Sequence, residues 1–345
     1  MDVDVGSFTA WVAETVGPGA SVTGIVDLTQ AARNLGPWRF DVDLGRSAVQ
    51  VILHVGEVAD EWVASRFAVQ VKALELAAAH QLPAPRLLAA DLDGSATGRL
   101  AILQTSLAGS SAIPREPDPA RLRTFGRPVA AIHAIDPGPG SGLPTRDRSL
   151  EGIDFEAVAI PEGSAELFAR ARSAVAAVPA PPGQGFVHGD FWQGNTLWLE
   201  GDYHGAVDWD FAGVGPAGID LGSLRCDIAV MYGPEYAAEI AAGWEEATGR
   251  PPDDLAYADV VGCLCSPADL KYWLPTFHHQ GRTDLDWPTV MSRRDAHLSA
   301  ALNELVLAWP RPPRVSTTAR GDGGRQWLAP APDWAPVSSP YGPIR

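Results

Sequence analysis

The sequence predicts an α+β protein with two lobes, a small β-rich amino-terminal lobe and a larger, mostly helical carboxy-terminal lobe. Three observations lead to this prediction. The chain has 345 residues, more than one ordinary domain core requires. Short apolar runs with the period of strands, and one long helical pattern among them, fill residues 1–106. From residue 107 onward, the apolar spacing is mostly that of helices.

The amino-terminal lobe is predicted to contain four strands and one long helix. Residues 36–55 alternate as two strands around the turn DLGR, which places Gln50 and His54 on one face of the second strand. Residues 58–80 have helical spacing, with Gln70 on the apolar face. The stretches PRLLAADLDG and RLAILQTS then predict the third and fourth strands.

The carboxy-terminal lobe is predicted to span residues 107–310 and to begin with the turn-rich segment LAGSSAIPREPDPA. Beyond that segment, the apolar pattern predicts helices at 119–134, 163–177, 234–248 and 287–308, and a hairpin of strands at 195–199 and 204–208. Residues 311–345 are rich in Pro, Gly and Ser, and we expect a largely disordered tail there.

Composition and charge exclude several classes of protein. The chain has 26 basic and 42 acidic residues, a net charge of −16, which disfavours a broad nucleic-acid surface. Such a field attracts a cationic small substrate, or it only keeps the protein soluble. No apolar stretch approaches ~18 residues, the start lacks a signal peptide, and the three cysteines form no disulfide framework. We therefore expect a cytoplasmic protein without a membrane partner, and its oligomeric state stays open.

Polar residues interrupt the apolar run FVHGDFWQGNTLW in a way that indicates a site. His188 and Asp190 lie two residues apart, Asn195 follows five residues later, and Asp208 closes the second strand of the predicted hairpin. Burying such groups without partners costs several kcal/mol, roughly 2–7 for a neutral one. Carboxylate and amide oxygens are the ligands that Mg²⁺ prefers beside substrate phosphates. A carboxylate left free of metal can accept a proton from an attacking hydroxyl, as in phosphoryl transfer.

The order His-Gly-Asp-x-x-x-x-Asn, Val-Asp-Trp and Gly-x-x-x-x-Asp-Leu resembles the aminoglycoside phosphotransferase family, small-molecule kinases with a protein-kinase-like fold. The resemblance implies that Asp190 is the catalytic base and that His188 supports it in the catalytic loop. It implies further that Asn195 and Asp208 hold Mg²⁺. Asp220, in the third element of the pattern, would anchor the catalytic segment.

The amino-terminal lobe departs from the family pattern where it would bind the nucleotide. His54 stands where the family has a basic residue that contacts the phosphates, and Gln70 stands where it has the paired glutamate. We expect these two side chains to face each other. The hinge at 101–109, with Gln104 and Ser106, should offer groups to the base of ATP, with GTP as the other possible donor. Substitute phosphate anchors would be Arg33, Arg39, Arg46 or Lys72.

The resemblance therefore implies Mg²⁺-dependent transfer of a nucleotide γ-phosphoryl group to a hydroxyl of a small molecule. The acceptor classes that remain open are cationic antibiotics such as aminoglycosides, macrolides, choline-like or amino alcohols, basic peptides and sugars. An alternative from another class is a pseudokinase-like binding protein without turnover, which the replacements at His54 and Gln70 favour. The retained Asp190, Asn195 and Asp208 favour catalysis instead.

Overall fold

The computed structural model describes residues 4–28, 37–155 and 158–309. A five-stranded antiparallel sheet lies in the amino-terminal part, with strand order β1-β2-β3-β5-β4. Its strands are β1 (Ser21–Asp27), β2 (Trp38–Asp43), β3 (Ala48–Gly56), β4 (Leu87–Asp91) and β5 (Leu100–Thr105). Two helices accompany them, α1 (Thr9–Val16) and α2 (Glu61–Ala79). The predicted tail and Arg33 lie outside the described residues.

The sequence predicted four of these strands and missed β1. This strand pairs with β2 at the edge of the sheet, and most of its residues are exposed. An exposed edge strand buries no regular apolar face, so it carries little of the alternation on which the prediction depends.

The pairing of β3 with β5 brings two predicted nucleotide-site residues, His54 and Gln104, close to each other. Ile52 pairs with Gln104 and His54 pairs with Ile102 in the antiparallel register. Helix α2 begins after Asp60, whose side chain accepts hydrogen bonds from two backbone N–H groups of the first turn. Gln70 lies on the buried face of this helix. The predicted helix and its polar buried residue are therefore confirmed.

The carboxy-terminal part is mainly helical. Its helices are α3 (Pro119–Thr124), α4 (Gly126–His133), α5 (Glu162–Ala177), α6 (Gly218–Tyr232), α7 (Ala237–Thr248), α8 (Leu255–Leu264), α9 (Leu274–His279) and α10 (Trp287–Ala308). The predicted helix over 119–134 is two helices, which meet at Phe125. Within the described ranges, no helix is both long and apolar enough to cross a membrane.

Two short strand pairs frame the polar motif. Strands β7 (Thr196–Leu199) and β8 (Asp202–Ala206) form the predicted hairpin, and β8 ends two residues before Asp208. Strand β6 (Gly185–Val187) pairs with β9 (Gly213–Gly215). Strand β6 directly precedes His188, and β9 follows the segment 208–210 with its two aspartates, so this pairing brings the two polar segments together.

Candidate active site

The turn after β6 is held by a buried carboxylate. Asp220, in the first turn of α6, accepts hydrogen bonds from the backbone N–H groups of His188 and Gly189, both at 2.8 Å. Gly189 has a φ of +79°, and a Cβ atom there would lie 2.1 Å from the carbonyl oxygen of Phe211. Only glycine fits this backbone conformation and this close approach. Burial raises the pKa of Asp220 to about 6, against the effect of its two hydrogen bonds.

The side chain of His188 joins the two acidic loops. Its Nε2 lies 3.0 Å from the carbonyl oxygen of Val207, and its Nδ1 accepts a hydrogen bond from the backbone N–H of Asp190 at 3.3 Å. These partners assign the proton to Nε2. The ring is fully buried, and burial lowers its pKa to about 4, so it is neutral near pH 7. His188 therefore lies, uncharged, between the residue before Asp208 and the backbone of Asp190.

Asp190 is oriented by Asn195. The Asn195 Nδ2 group donates to the carboxylate Oδ2 of Asp190 at 2.9 Å and to its carbonyl oxygen at 3.0 Å. Burial and the nearby charges of Asp208 and Asp210 raise the pKa of Asp190 well above its ordinary value. With Nδ2 turned to Asp190, the Oδ1 atom of Asn195 is the one left to contact a cation.

Asp208 adopts a left-handed backbone conformation, with φ +67° and ψ +60°. This conformation is uncommon for a residue other than glycine, and it is often found at functional sites. Burial raises the pKa of Asp208, while Arg66 and a hydrogen bond with Asp210 oppose the shift. The charges of Asp208 and Asp210 make ionisation of Asp190 more costly, and Asp208 does the same to Asp210, so a bound cation would lower this cost.

The oxygen atoms of Asn195 and Asp208 suit Mg²⁺ better than they suit a metal ion whose ligands are all protein side chains. Among the described residues, no group of three or more His, Cys, Asp or Glu side chains has the arrangement of a metal site. Mg²⁺ is ordinarily bound by one or two carboxylates together with substrate phosphates and water. Asn195 and Asp208 carry oxygen atoms of this kind and are the residues that could hold such an ion.

The sequence analysis missed Arg66. Its guanidinium forms an ion pair with Asp210, two residues after Asp208. The same group lies 4.4 Å from the ring centroid of Trp62 and 3.8 Å from that of Phe211, so two aromatic rings cover it. The sequence held one indication of its importance, because Arg66 lies one helical turn before Gln70 and so on the same side of α2.

We expected His54 and Gln70 to face each other, but their side chains do not make contact. The Gln104 side chain lies between them, because Gln70 Nε2 donates to Gln104 Oε1 at 3.3 Å and Gln104 Nε2 lies 3.4 Å from His54 Nε2. Burial lowers the pKa of His54 to about 4, so the strand position where the sequence resemblance implies a cation holds a neutral ring here. The pairing of β3 with β5 places Gln104 diagonally opposite His54, and the packing of α2 on β5 brings Gln70 to it. Pattern matching along the chain reveals neither relation.

The hinge and the substitute anchors are also placed by the structure. The Ser106 N–H donates to the Gln50 carbonyl at 3.1 Å, so a nucleotide contact by Ser106 would need its carbonyl or hydroxyl. Lys72 donates to the Gly142 carbonyl at 2.8 Å, and Arg39 lies 3.3 Å from Asp41 in an ion pair. Arg46 lies in the exposed turn between β2 and β3.

A cavity of about 230 Å³ opens beside Asp190. One face of α6, the end of α8 and the segment around α9 line it. It includes a second carboxylate, Asp227, that the sequence analysis did not select. Together, the antiparallel sheet, the helical part and this acidic loop define a phosphotransferase of the protein-kinase-like class.

Comparison with protein families agrees with this class. Residues 39–256 match the phosphotransferase enzyme family. The match covers more than half of the chain, so the protein belongs to this family, whose enzymes phosphorylate hydroxyl groups of small molecules. The resemblance, the fold class and the enzyme class predicted from the sequence are confirmed. A comparison with curated proteins found no match.

Solved structures share the fold at low sequence identity. A macrolide 2'-phosphotransferase from Brachybacterium faecium is 18% identical, with a TM-score of 0.56 over 87% of this chain and 98% of that one. An aminoglycoside-3'-phosphotransferase of type VIII is 17% identical, with a TM-score of 0.52 over 73% of this chain and 96% of that one. A mutant of aminoglycoside phosphotransferase APH(4)-Ia, in complex with ADP and hygromycin B, is 18% identical, with a TM-score of 0.53 over 86% and 98%.

Proposed function

We propose that this phosphotransferase uses Mg²⁺ and ATP to phosphorylate a hydroxyl group of a small molecule, with Asp190 as the catalytic base. One observation carries the proposal: Asn195 Nδ2 lies 2.9 Å from the Asp190 carboxylate, in the segment that His188 links to the backbone just before Asp208. This arrangement supports a base and two cation ligands side by side. The ADP complex of a structural relative supports ATP as the donor.

In the proposed mechanism, Asp190 accepts a hydrogen bond from the acceptor hydroxyl and orients its oxygen toward the γ-phosphorus. Burial and the neighbouring carboxylates raise the basicity of Asp190, which favours its taking the proton as the hydroxyl oxygen bonds to the γ-phosphorus. The bond between that phosphorus and the oxygen bridging to the β-phosphate breaks at the same time, and ADP leaves. Mg²⁺, held by Asn195 and Asp208, would neutralise charge on the nucleotide phosphates. Phosphoryl transfer of this kind depends mainly on position and electrostatics.

Two further groups have supporting roles in this proposal. His188, neutral and buried, keeps the Asp190 backbone and the Val207 carbonyl in register. Arg66 supplies the positive charge that the neutral His54 does not, because its guanidinium already lies among the carboxylates of the site. Both roles concern position and charge, and neither requires proton transfer by these residues.

A binding protein without turnover is the second candidate. The neutral network of His54, Gln104 and Gln70 favours it, because a missing cation weakens phosphate binding. The complete set of Asp190, Asn195 and Asp208 favours turnover, because a protein that only binds has no need of an oriented base.

The test is a panel of hydroxyl acceptors with ATP or GTP and Mg²⁺, followed by release of the nucleoside diphosphate and by ³¹P NMR of the product. Asp190→Ala should lower kcat by ~10²–10⁴-fold while nucleotide binding is retained. Asp202→Ala, in the exposed end of the hairpin, is the matched control and should keep the native rate. Near-native turnover by Asp190→Ala would remove this residue from the mechanism, and nucleotide binding without product across the panel would favour the binding protein.

A further inference from the structure

The segment 144–150 belongs to none of the three elements of the family pattern, yet it contacts the strand pair that frames the site. The Val214 N–H, in β9, donates to the Pro144 carbonyl at 2.9 Å, and the Arg146 N–H donates to the Val214 carbonyl at 2.8 Å. These bonds place the segment beside β9 in parallel orientation. Residues 144–150 form a bridging segment, because their other end reaches the turn that carries Asp190.

The far end of the bridging segment holds the carbonyl group of Gly189. Ser149 Oγ donates to this carbonyl oxygen at 2.8 Å, and the Leu150 N–H donates to it at 2.9 Å. This carbonyl belongs to the peptide unit that joins Gly189 to Asp190. The N–H of the same unit donates to His188 Nδ1 at 3.3 Å. Both polar ends of this peptide are therefore held, which restricts the direction in which the Asp190 side chain projects.

The Ser149 hydroxyl is buried where it makes this contact. The residue is 2% exposed, so water does not compete for the Gly189 carbonyl. Its Oγ also lies 3.3 Å from Ser223 Oγ on α6. Leu150, the next residue, has a φ of +51°, which is uncommon for a bulky side chain and is often found at functional sites. This left-handed residue lies where two donors meet one carbonyl group.

We propose that Ser149 is a positioning residue for phosphoryl transfer, which acts through Asp190. Its hydrogen bond holds the Gly189 carbonyl, and through the shared peptide unit it fixes the direction of the Asp190 carboxylate toward the acceptor. The bridging segment also connects this turn to β9, which follows Asp208, so the two acidic loops keep a constant separation. The inference rests on the proposed function for the role of Asp190.

The test measures ATP hydrolysis by the full-length protein with Mg²⁺, because water as the acceptor requires no knowledge of the natural one. Water bonds to the γ-phosphorus, Asp190 takes its proton, and ADP and phosphate leave. Misplacing a reacting group by about 1 Å can cost about 10²-fold in rate, and Ser149→Ala leaves the Leu150 donor in place, so we expect kcat to fall by about tenfold. The KM for Mg·ATP should change by less than about twofold, because the predicted nucleotide residues lie on β3, β5 and α2.

The matched control is Ser164→Ala. Ser164 is also 2% exposed, and its hydroxyl donates to the side chain of Asp295. It lies on α5, which packs on α10. This variant loses a buried hydrogen bond, as Ser149→Ala does, and thermal melting should show that both are destabilised. Only Ser149→Ala should lower kcat.

Two further variants separate positioning from folding. Ser149→Thr keeps the hydroxyl, and Ser149 lines a second cavity, of about 100 Å³, that leaves room for one methyl group, so this variant should recover most of the native kcat. In the Asp190→Ala background, Ser149→Ala should change the residual rate by less than about twofold, because a residue that acts through Asp190 has no effect once that carboxylate is gone. If Ser149→Ala does not fold, Ser149→Cys, whose thiol is a weaker donor, takes its place.

Unchanged kcat in folded Ser149→Ala, or an equal fall in Ser164→Ala, would overturn the proposal. So would a folded Ser149→Thr variant as slow as Ser149→Ala, or the full loss persisting in the Asp190→Ala background. These results leave the proposed function intact as long as Asp190→Ala itself loses turnover. Near-native turnover by Asp190→Ala, or no hydrolysis by the unmodified protein, would instead remove the base and this proposal together.

Discussion

Replacement of Arg66 by methionine should destabilise the protein by about 3 kcal/mol or more, because it leaves Asp210 partly buried without its counter-ion. The two side chains are 18% and 14% exposed, so solvent screens their attraction only in part. Removing one partner of a buried ion pair costs about 3–5 kcal/mol, and incomplete burial places this pair at the lower end. Loss of the contacts with the Trp62 and Phe211 rings adds about 0.5–2 kcal/mol.

A double-mutant cycle separates the charge effect from packing. Asp210→Asn removes the carboxylate that Arg66 neutralises, and it also removes a like charge from the surroundings of Asp208. The double variant should therefore be less destabilised than the sum of the two single variants, by about 1–3 kcal/mol. The measurement is the free energy of unfolding of the four proteins from urea titration. The comparison requires that the four m-values agree.

The matched control is Arg99, a second ion-paired arginine in the amino-terminal part of the protein. Arg99 pairs with Glu57, but these side chains are 25% and 43% exposed. An exposed pair contributes about 0–1 kcal/mol, so Arg99→Met should cost clearly less than Arg66→Met. Equal costs for the two arginine variants, or additive costs within the cycle, would refute our account of the Arg66–Asp210 pair.

Three other predictions concern the nucleotide and the acidic cavity. Asp208→Asn should weaken Mg·ATP binding by about tenfold or more while affinity without Mg²⁺ changes little, and unchanged calorimetric titrations would contradict its role as a ligand. His54→Lys combined with Gln70→Glu should tighten nucleotide binding by about tenfold, because a full charge replaces a neutral ring. No gain in a folded double variant would indicate that the phosphates depend on another cation. Burial raises the pKa of Asp227 from its ordinary 3.8 to about 7, so the unfolded chain loses this proton first and stability falls between those pH values. Asp227→Asn should therefore match the unmodified protein near pH 4 and melt at a higher temperature above pH 7. Parallel melting curves across that range would contradict the shift.

The sequence alone was sufficient for the main architecture and for the acidic motif. Local periodicity predicted the β2–β3 and β7–β8 hairpins and helix α2, because each face repeats within a few residues. The spacing of Asp190, Asn195 and Asp208 predicted the family, because a catalytic loop and the hairpin after it are contiguous in the chain. Asp220 also follows this pattern, and its two backbone hydrogen bonds agree with the expected anchoring role.

Only the tertiary structure decided which distant polar groups meet. Arg66 reaches Asp210 because α2 packs against the turn after β8, and no repeat in the sequence encodes that packing. Gln104 separates His54 from Gln70 because of the register between two strands and the depth at which the helix packs on them. Asp227 joins the wall beside Asp190 through the placement of α6. Helical and strand periods determine which face a side chain occupies, whereas the packing of whole elements determines what lies opposite that face.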